Sequence, residues 1–270
     1  MKNLFILISY LAFFALPVIG RETPVKKDII AAGELFSRFN KYGTFDKDGN
    51  VDNGAYYNVI TEILKSTGLA QRYELKVYPM DRAKRGFRIK KFACFCPGYE
   101  HLDNPELQLK QFKLLNGEPL NKAIVRVISK DRISVATKAS DISSSDSVSI
   151  VKGGALSPDM KKMLNEAGDV VEVDNELQNL KMLSSGRVSK AVVFYPAVID
   201  AYKALRMEQH FPYDKSFSPL VSRDNIICHG SHLEAFKLIE SRLEELKESG
   251  EIERIMGEAY IIGTKYLDMN

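Results

Sequence analysis

Beyond its first twenty residues the chain has no apolar run near the roughly 18 residues that a bilayer-spanning helix needs, so no membrane-spanning helix is expected there. An excess of charge of one sign is also missing. Lysines and arginines number 38 against 35 aspartates and glutamates, a formal +3, whereas a nucleic-acid partner calls for a concentrated basic surface. Cysteine is scarce, with three in 270 residues, and the C-x-C pair at Cys94 and Cys96 has no second pair close by to make a zinc site. There is no nucleophile elbow, phosphate loop or zinc-protease helix, and no internal repeat or long low-complexity tract. Asp48, Asn50 and Asp52 begin like a calcium loop, but position six is Asn53 instead of glycine and position twelve is Val59 instead of glutamate. His229 and His232 have no third ligand in sight. No metal, no cofactor and no nucleic acid is expected.

What is present starts with an export signal. Lys2 supplies the charge, Leu4 to Val18 are almost wholly apolar, and Val18 and Gly20 fit a small-residue cleavage rule, placing the mature start near Arg21. No cysteine stands there to take a lipid, so a soluble protein exported to the periplasm is expected. The remaining roughly 250 residues suffice for two modest domains. That compartment permits disulfides. Cys94 and Cys96 are too close in a strand to bond each other comfortably, but either can meet Cys228 if the strands are neighbours. Cys96 with Cys228 is taken as the candidate pair; three small buried apolar side chains are the alternative.

The stretch from Ser147 to Leu205 alternates three apolar runs with three helix-like segments. Val148, Ile150 and Val151 make a strand that breaks at Gly153 and Gly154, where the backbone can turn sharply and approach a ligand. Ser157 is a fit N-cap, Pro158 suits the first helical position, and Gly168 ends that helix. A strand at Val170–Val173, a helix capped by Asn175 and a strand at Ala191–Phe194 follow, and Pro196 opens another helix. Strands this apolar need cover on both faces, which predicts wound parallel sheet with ligands at the strands' carboxyl ends.

The first half predicts the same rhythm. Leu35, Phe36 and Phe39 suggest a strand, and Tyr56, Val59, Ile60, Ile63 and Leu64 a helix ended by Gly68. Tyr73, Leu75 and Val77 alternate as a strand, Arg82 to Phe87 form a short basic helix, and Phe92 to Cys96 a third strand. Ala123 to Ile128 carry the chain into a second lobe, and Pro212 to Ser222 form a return path. Ile226 to Cys228 then read as a strand, and Ser231 with Glu234 as a capping box for a helix with Phe236, Ile239, Leu243 and Leu246 inward. A last helix holds Ile252, Ile255, Met256 and Tyr260. The expected division is a signal at 1–20, a first lobe at 21–122 completed by 216–270, and a second lobe at 123–215.

The chain resembles the type II periplasmic solute-binding proteins, specifically the extracellular family 3 group of amino-acid uptake systems. The resemblance rests on Tyr42, Asp46, Asp48, Gly49 and Gly54; on Pro79 to Arg82, where that family has Pro-Trp-x-Arg; on the Val151–Gly154 turn; on Leu183–Val188; and on the closing helix pair. It implies an α/β fold of two lobes, each a mostly parallel sheet wound with helices, closing on a small polar solute for an ABC transporter permease or a membrane sensor. It also implies a monomer and no catalytic residues. The alternatives are a lyase-like enzyme on the same scaffold, with Glu100 or Glu118 as acid or base, and a signalling module that has lost its ligand.

The departures bear on the ligand. Tyr99 to Pro105 lack the arginine that clamps an α-carboxylate in that family, and Ser189 stands where it has an aspartate, so a free amino acid is not the expected ligand. The candidate ligand-binding residues are Tyr42, Arg82, Tyr99, Glu118, Gly153, Gly154 and Tyr195. The glycine pair offers backbone N–H groups beside a helix N-terminus, suited to an anionic or hydrogen-bond-accepting group. Tyr42, Tyr99 and Tyr195 offer an aromatic face with a hydroxyl. Arg82 offers a bidentate fork, and Glu118 a partner for a cationic group.

Overall fold

The computed structural model describes residues 26–33, 48–51, 53–98, 101–102, 110, 113–195 and 197–261. The N-terminal apolar segment and the residues at 35–39, expected to form a strand, lie outside them. The first described strand is β1 (Asp28–Gly33). Helix α1 (Ala55–Ser66) buries the five residues its periodicity picks out. β2 (Tyr73–Tyr78), α2 (Met80–Arg88) and β3 (Cys94–Cys96) follow, then the short β4 (Leu114–Asn116).

β5 (Asn121–Ser129) enters a second sheet. β6 (Ser147–Val151), α3 (Pro158–Glu166), β7 (Asp169–Val173), α4 (Glu176–Ser184), β8 (Lys190–Tyr195) and α5 (Ala197–Ala204) keep the predicted βαβαβα order. β9 (Val221–Asp224) still belongs to that sheet, and β10 (Ile227–His229) returns to the first. The chain closes with α6 (Leu233–Glu248) and α7 (Glu251–Met256).

The strand orders, β2-β1-β3-β10-β4 and β7-β6-β8-β5-β9, repeat one plan. In each sheet the first three strands are parallel. The crossing strands then add antiparallel partners: β10 on β3 and β4, and β5 on β8 and β9. The wound portion is therefore as expected, and the antiparallel pairs come from chain that enters each sheet from the other. The crossings lie at residues 117–120 and at Asn225–Ile226, so the return falls later than 216 and β9 occupies the end of the predicted return path.

Apolar burial follows the topology. Ile60, Ile63, Cys94, Leu243, Ile252 and Met256 share one cluster, which joins the closing helices to α1 and the first sheet. The second sheet buries Val193, Tyr195, Val198 and Tyr202 on its α4–α5 face. Its other face, with Val148, Ile150, Met160 and Phe194, is continuous with Met80 and Phe87 of the first half.

Two sequence expectations are corrected here. The disulfide joins Cys94, not Cys96, to Cys228. The antiparallel register sets Cys228 opposite Cys94, and Cys96 lies two residues farther along, buried and outside the bond. The capping box also fails to form: α6 begins at Leu233 with His232 in the cap position and no side-chain cap hydrogen bond. Ser231 is instead inside a short 3₁₀ turn.

Candidate ligand cleft between the two sheets

The carboxyl ends of β1, β2 and β6 converge. After β6 the chain turns at Gly153, whose φ of +78° lies in the left-handed region that favours glycine. Ser157 then caps α3, accepting the Met160 N–H at 3.1 Å while its own hydroxyl donates to the Pro219 carbonyl at 2.9 Å. Pro158 takes the first helical position as predicted.

From the first half, β2 ends at Tyr78 and α2 starts at once with Met80. The Met80 side chain fills the space between the halves. A Cβ placed on Gly33 would fall 2.3 Å from Met80 Cε, and one on Gly153 would fall 3.4 Å from Met80 Cβ. Lys84, one turn along α2, donates to the Gly153 carbonyl at 3.3 Å. The glycine turn therefore faces α2, with an ammonium at its mouth and a thioether at its floor. Among the described residues, no backbone acceptor takes the N–H groups of Gly153 and Gly154. Both residues are half-buried.

Asn225 pins the two crossings together. It is 2 % exposed, and its amide donates to the Gly117 carbonyl at 3.0 Å and to Asn116. Beside it the Tyr56 hydroxyl donates to the buried Asp224 carboxylate, and Asn121 bonds Ala259 and Ile261 at 2.7 Å each. These contacts tie α1, both crossings and the chain after α7 into one hinge region.

No protein-family model matches the chain, and no curated protein sequence matches it. Solved structures do. A histidine kinase sensor domain with similarity to periplasmic binding proteins is 13% identical over 87% of this chain and 96% of its own, with a TM-score of 0.65. An ancestral arginine-binding protein bound to arginine is 19% identical over 87% and 98%, with a TM-score of 0.63. An ancestral amino-acid-binding protein described as a precursor of cyclohexadienyl dehydratase is 15% identical over 87% and 96%, with a TM-score of 0.60. The fold is that of the type II periplasmic binding proteins.

Within this two-lobed binding fold the sequence-predicted residues are scattered. Gly153 and Gly154 are at the inter-lobe contact. Arg82 is on the same helix as Met80 and Lys84 but is exposed, its guanidinium 4.6 Å from the Tyr78 ring centroid. Glu118 is elsewhere: it is exposed on the first crossing, where its N–H donates to Glu240 of α6 at 2.7 Å. Burial pushes the Glu240 carboxyl above its ordinary value, and the Glu118 N–H partly offsets this. Tyr195 ends β8 on the α5 side of the sheet, within the cluster of Val193, Val198 and Tyr202. Its neighbour Phe194 faces the other side of the sheet, in the cluster with Val148, Ile150 and Met160. Tyr42 and Tyr99 lie outside the described residues.

Sequence reasoning missed Met80, Lys84 and the hinge asparagine. Met80 occupies the aromatic position of the Pro-Trp-x-Arg pattern, which was signal enough to single it out. Lys84 was hidden in a basic helix where any of several cations had the same claim. Among the described residues no group of three metal-ligating side chains occurs, and no helix is long and apolar enough to cross a membrane.

Proposed function

We propose that the protein is a solute receptor that captures a small polar, anionic solute between its lobes and hands it to an ABC transporter permease or reports it to a membrane sensor. One observation carries this reading. The Gly153 turn, at a strand's carboxyl end beside a capped helix, stands opposite Met80 and Lys84 across two pinned crossings. Backbone N–H groups, a helix N-terminus and an ammonium together favour a carboxylate or phosphate. Among the described residues, the Met80 side of the turn is apolar and offers no partner for the ammonium of a zwitterion. Export to the periplasm, a monomeric state and the lack of turnover belong to the same reading. Export draws support from the apolar N-terminal segment, and the lack of turnover from the solute-binding neighbours.

The test is a thermal-shift and calorimetric screen of the purified protein against mono- and dicarboxylates, phosphate esters and amino acids, with small-angle scattering on each hit. An anionic solute is expected to raise the melting temperature and change the scattering envelope, and Lys84→Gln to weaken it about tenfold, the worth of one charge-assisted hydrogen bond. Catalytic turnover of any bound solute sinks the receptor reading in favour of an enzyme. A second reading, a signalling module that needs no solute, is favoured by Met80 already packing against Gly33 and Gly153. On that reading no solute alters the scattering.

A further inference from the structure

Among the described residues, Arg126 is the one buried arginine, at 3 % exposure. It stands on β5 with its side chain on the α4–α5 face, since its strand neighbours Ile124 and Ile128 belong to that face's cluster. Its guanidinium lies 5.5 Å from the Tyr213 ring centroid, and Nη1 donates to the Phe217 carbonyl at 2.9 Å. That is its only hydrogen bond, and no carboxylate of the described residues pairs with it. The nearest candidates are committed. The Asp214 carboxylate accepts from Ser216 and Phe217 of its own turn. Glu176 accepts the Phe194 N–H at 2.7 Å and the Asn179 amide at 3.1 Å. Asp214 is near enough for the Arg126 charge to help lower its carboxyl, yet it makes no ion pair with Arg126, and a buried cation without a direct ion pair is costly.

A second unsatisfied group lies beside it. Tyr195 is 7 % exposed, and its hydroxyl has no hydrogen-bond partner. The register pairs Ile124 with Tyr195 and Arg126 with Val193, so Arg126 and Tyr195 are diagonal neighbours on one face, roughly 7–8 Å apart at the backbone and within reach of long side chains. The Tyr213 ring touches both, its centroid 6.0 Å from that of Tyr195. Burial drives the Tyr195 phenol far above its ordinary value, so the group remains an O–H donor at every physiological pH. A fork of guanidinium N–H groups and a phenol O–H thus share one apolar surround with no acceptor between them.

We propose that Arg126 and Tyr195 form a second binding site, separate from the cleft, for a small oxyanion: a carboxylate or a phosphate held by both donors. The cover is the irregular segment that starts at Met207, whose Phe211 and Tyr213 pack against the same cluster as Tyr195 and are only half-buried. The site is therefore one side-chain layer below solvent, and a small anion reaches it by displacement of that segment.

The experiment follows the melting temperature of the purified protein against sodium phosphate and, separately, sodium acetate, with sodium chloride holding ionic strength constant. A saturable rise with at least one anion is expected, the more effective anion marking phosphate or carboxylate as the natural group. Tyr195→Phe, which keeps the ring, is expected to weaken the effect about tenfold, and Arg126→Gln to abolish it. If Arg126→Gln does not fold, Tyr195→Phe alone decides. Persistence of the rise in Lys84→Gln assigns it to this site; loss there with retention in Tyr195→Phe assigns it to the cleft and overturns the proposal. A rise absent or unsaturable in the wild-type protein overturns it as well.

Discussion

His229 shows how much one side chain can govern. It is 4 % exposed at the end of β10, stacked on Phe87 with ring centroids 4.3 Å apart. Nε2 is 2.8 Å from the Phe87 carbonyl and so carries the proton, which leaves Nδ1 bare and without a partner. Burial holds its pKa below the ordinary histidine value; the Phe87 carbonyl opposes that, and the charges of Lys90 and His232 add to it. The unfolded chain therefore binds a proton more readily than the native state. Stability is full above about pH 6.5, the ordinary histidine value, and falls as pH drops from there toward the depressed native value. Urea unfolding between pH 8 and pH 5 is expected to show this fall, and His229→Gln to flatten it. An unchanged pH slope in the variant means that some other group is responsible.

At the scale of elements, α3 shows local chemistry deciding position. Ser157 caps the helix and also donates to Pro219, which ties the helix start to the chain entering β9. Ser157→Ala is expected to cost about 1–2 kcal/mol, a cap plus one hydrogen bond, seen as a lower urea midpoint at unchanged slope. Caps and amphipathic periods of this kind were readable from residues alone: Ser157, Asn175 and the five-residue face of α1 all act as their spacing predicts. Signals that depend on a neighbour were not. Ser231 and Glu234 satisfy a capping pattern, yet the 3₁₀ turn after β10 takes in Ser231 and moves the start of the helix to Leu233. Tyr195 has the composition of a ligand residue, but strand alternation sends it to the face covered by α4 and α5 and Phe194 to the opposite face, against Met160 of α3. Choosing between adjacent residues of a strand required the register, which only pairing partners set.

For the whole molecule, the disulfide is the one covalent tether among the described residues. It links β3 to β10 across 134 residues of sequence, so it closes a loop that contains the whole second sheet. Reduction or Cys228→Ser is expected to cost roughly 2–5 kcal/mol, as for native bridges generally. Cys96→Ser is expected to leave the bridge intact, as mass spectrometry of alkylated protein would show. A bridge found between Cys96 and Cys228 would contradict the register. The larger plan, two wound sheets of one strand order, was visible in the alternation of apolar runs and helices. The points of passage were not, because a crossing strand and a core strand carry the same apolar composition.

The interleaving of the sheets also orders the protein's assembly in time. Every strand of the second sheet lies between Asn121 and Asp224, so a chain emerging from its N-terminus can pair all the strands of that sheet while the first still lacks β10, α6 and α7. Until those last elements arrive, the β3 edge stands open and Cys94 has no mate. The first lobe begun is thus the last one finished.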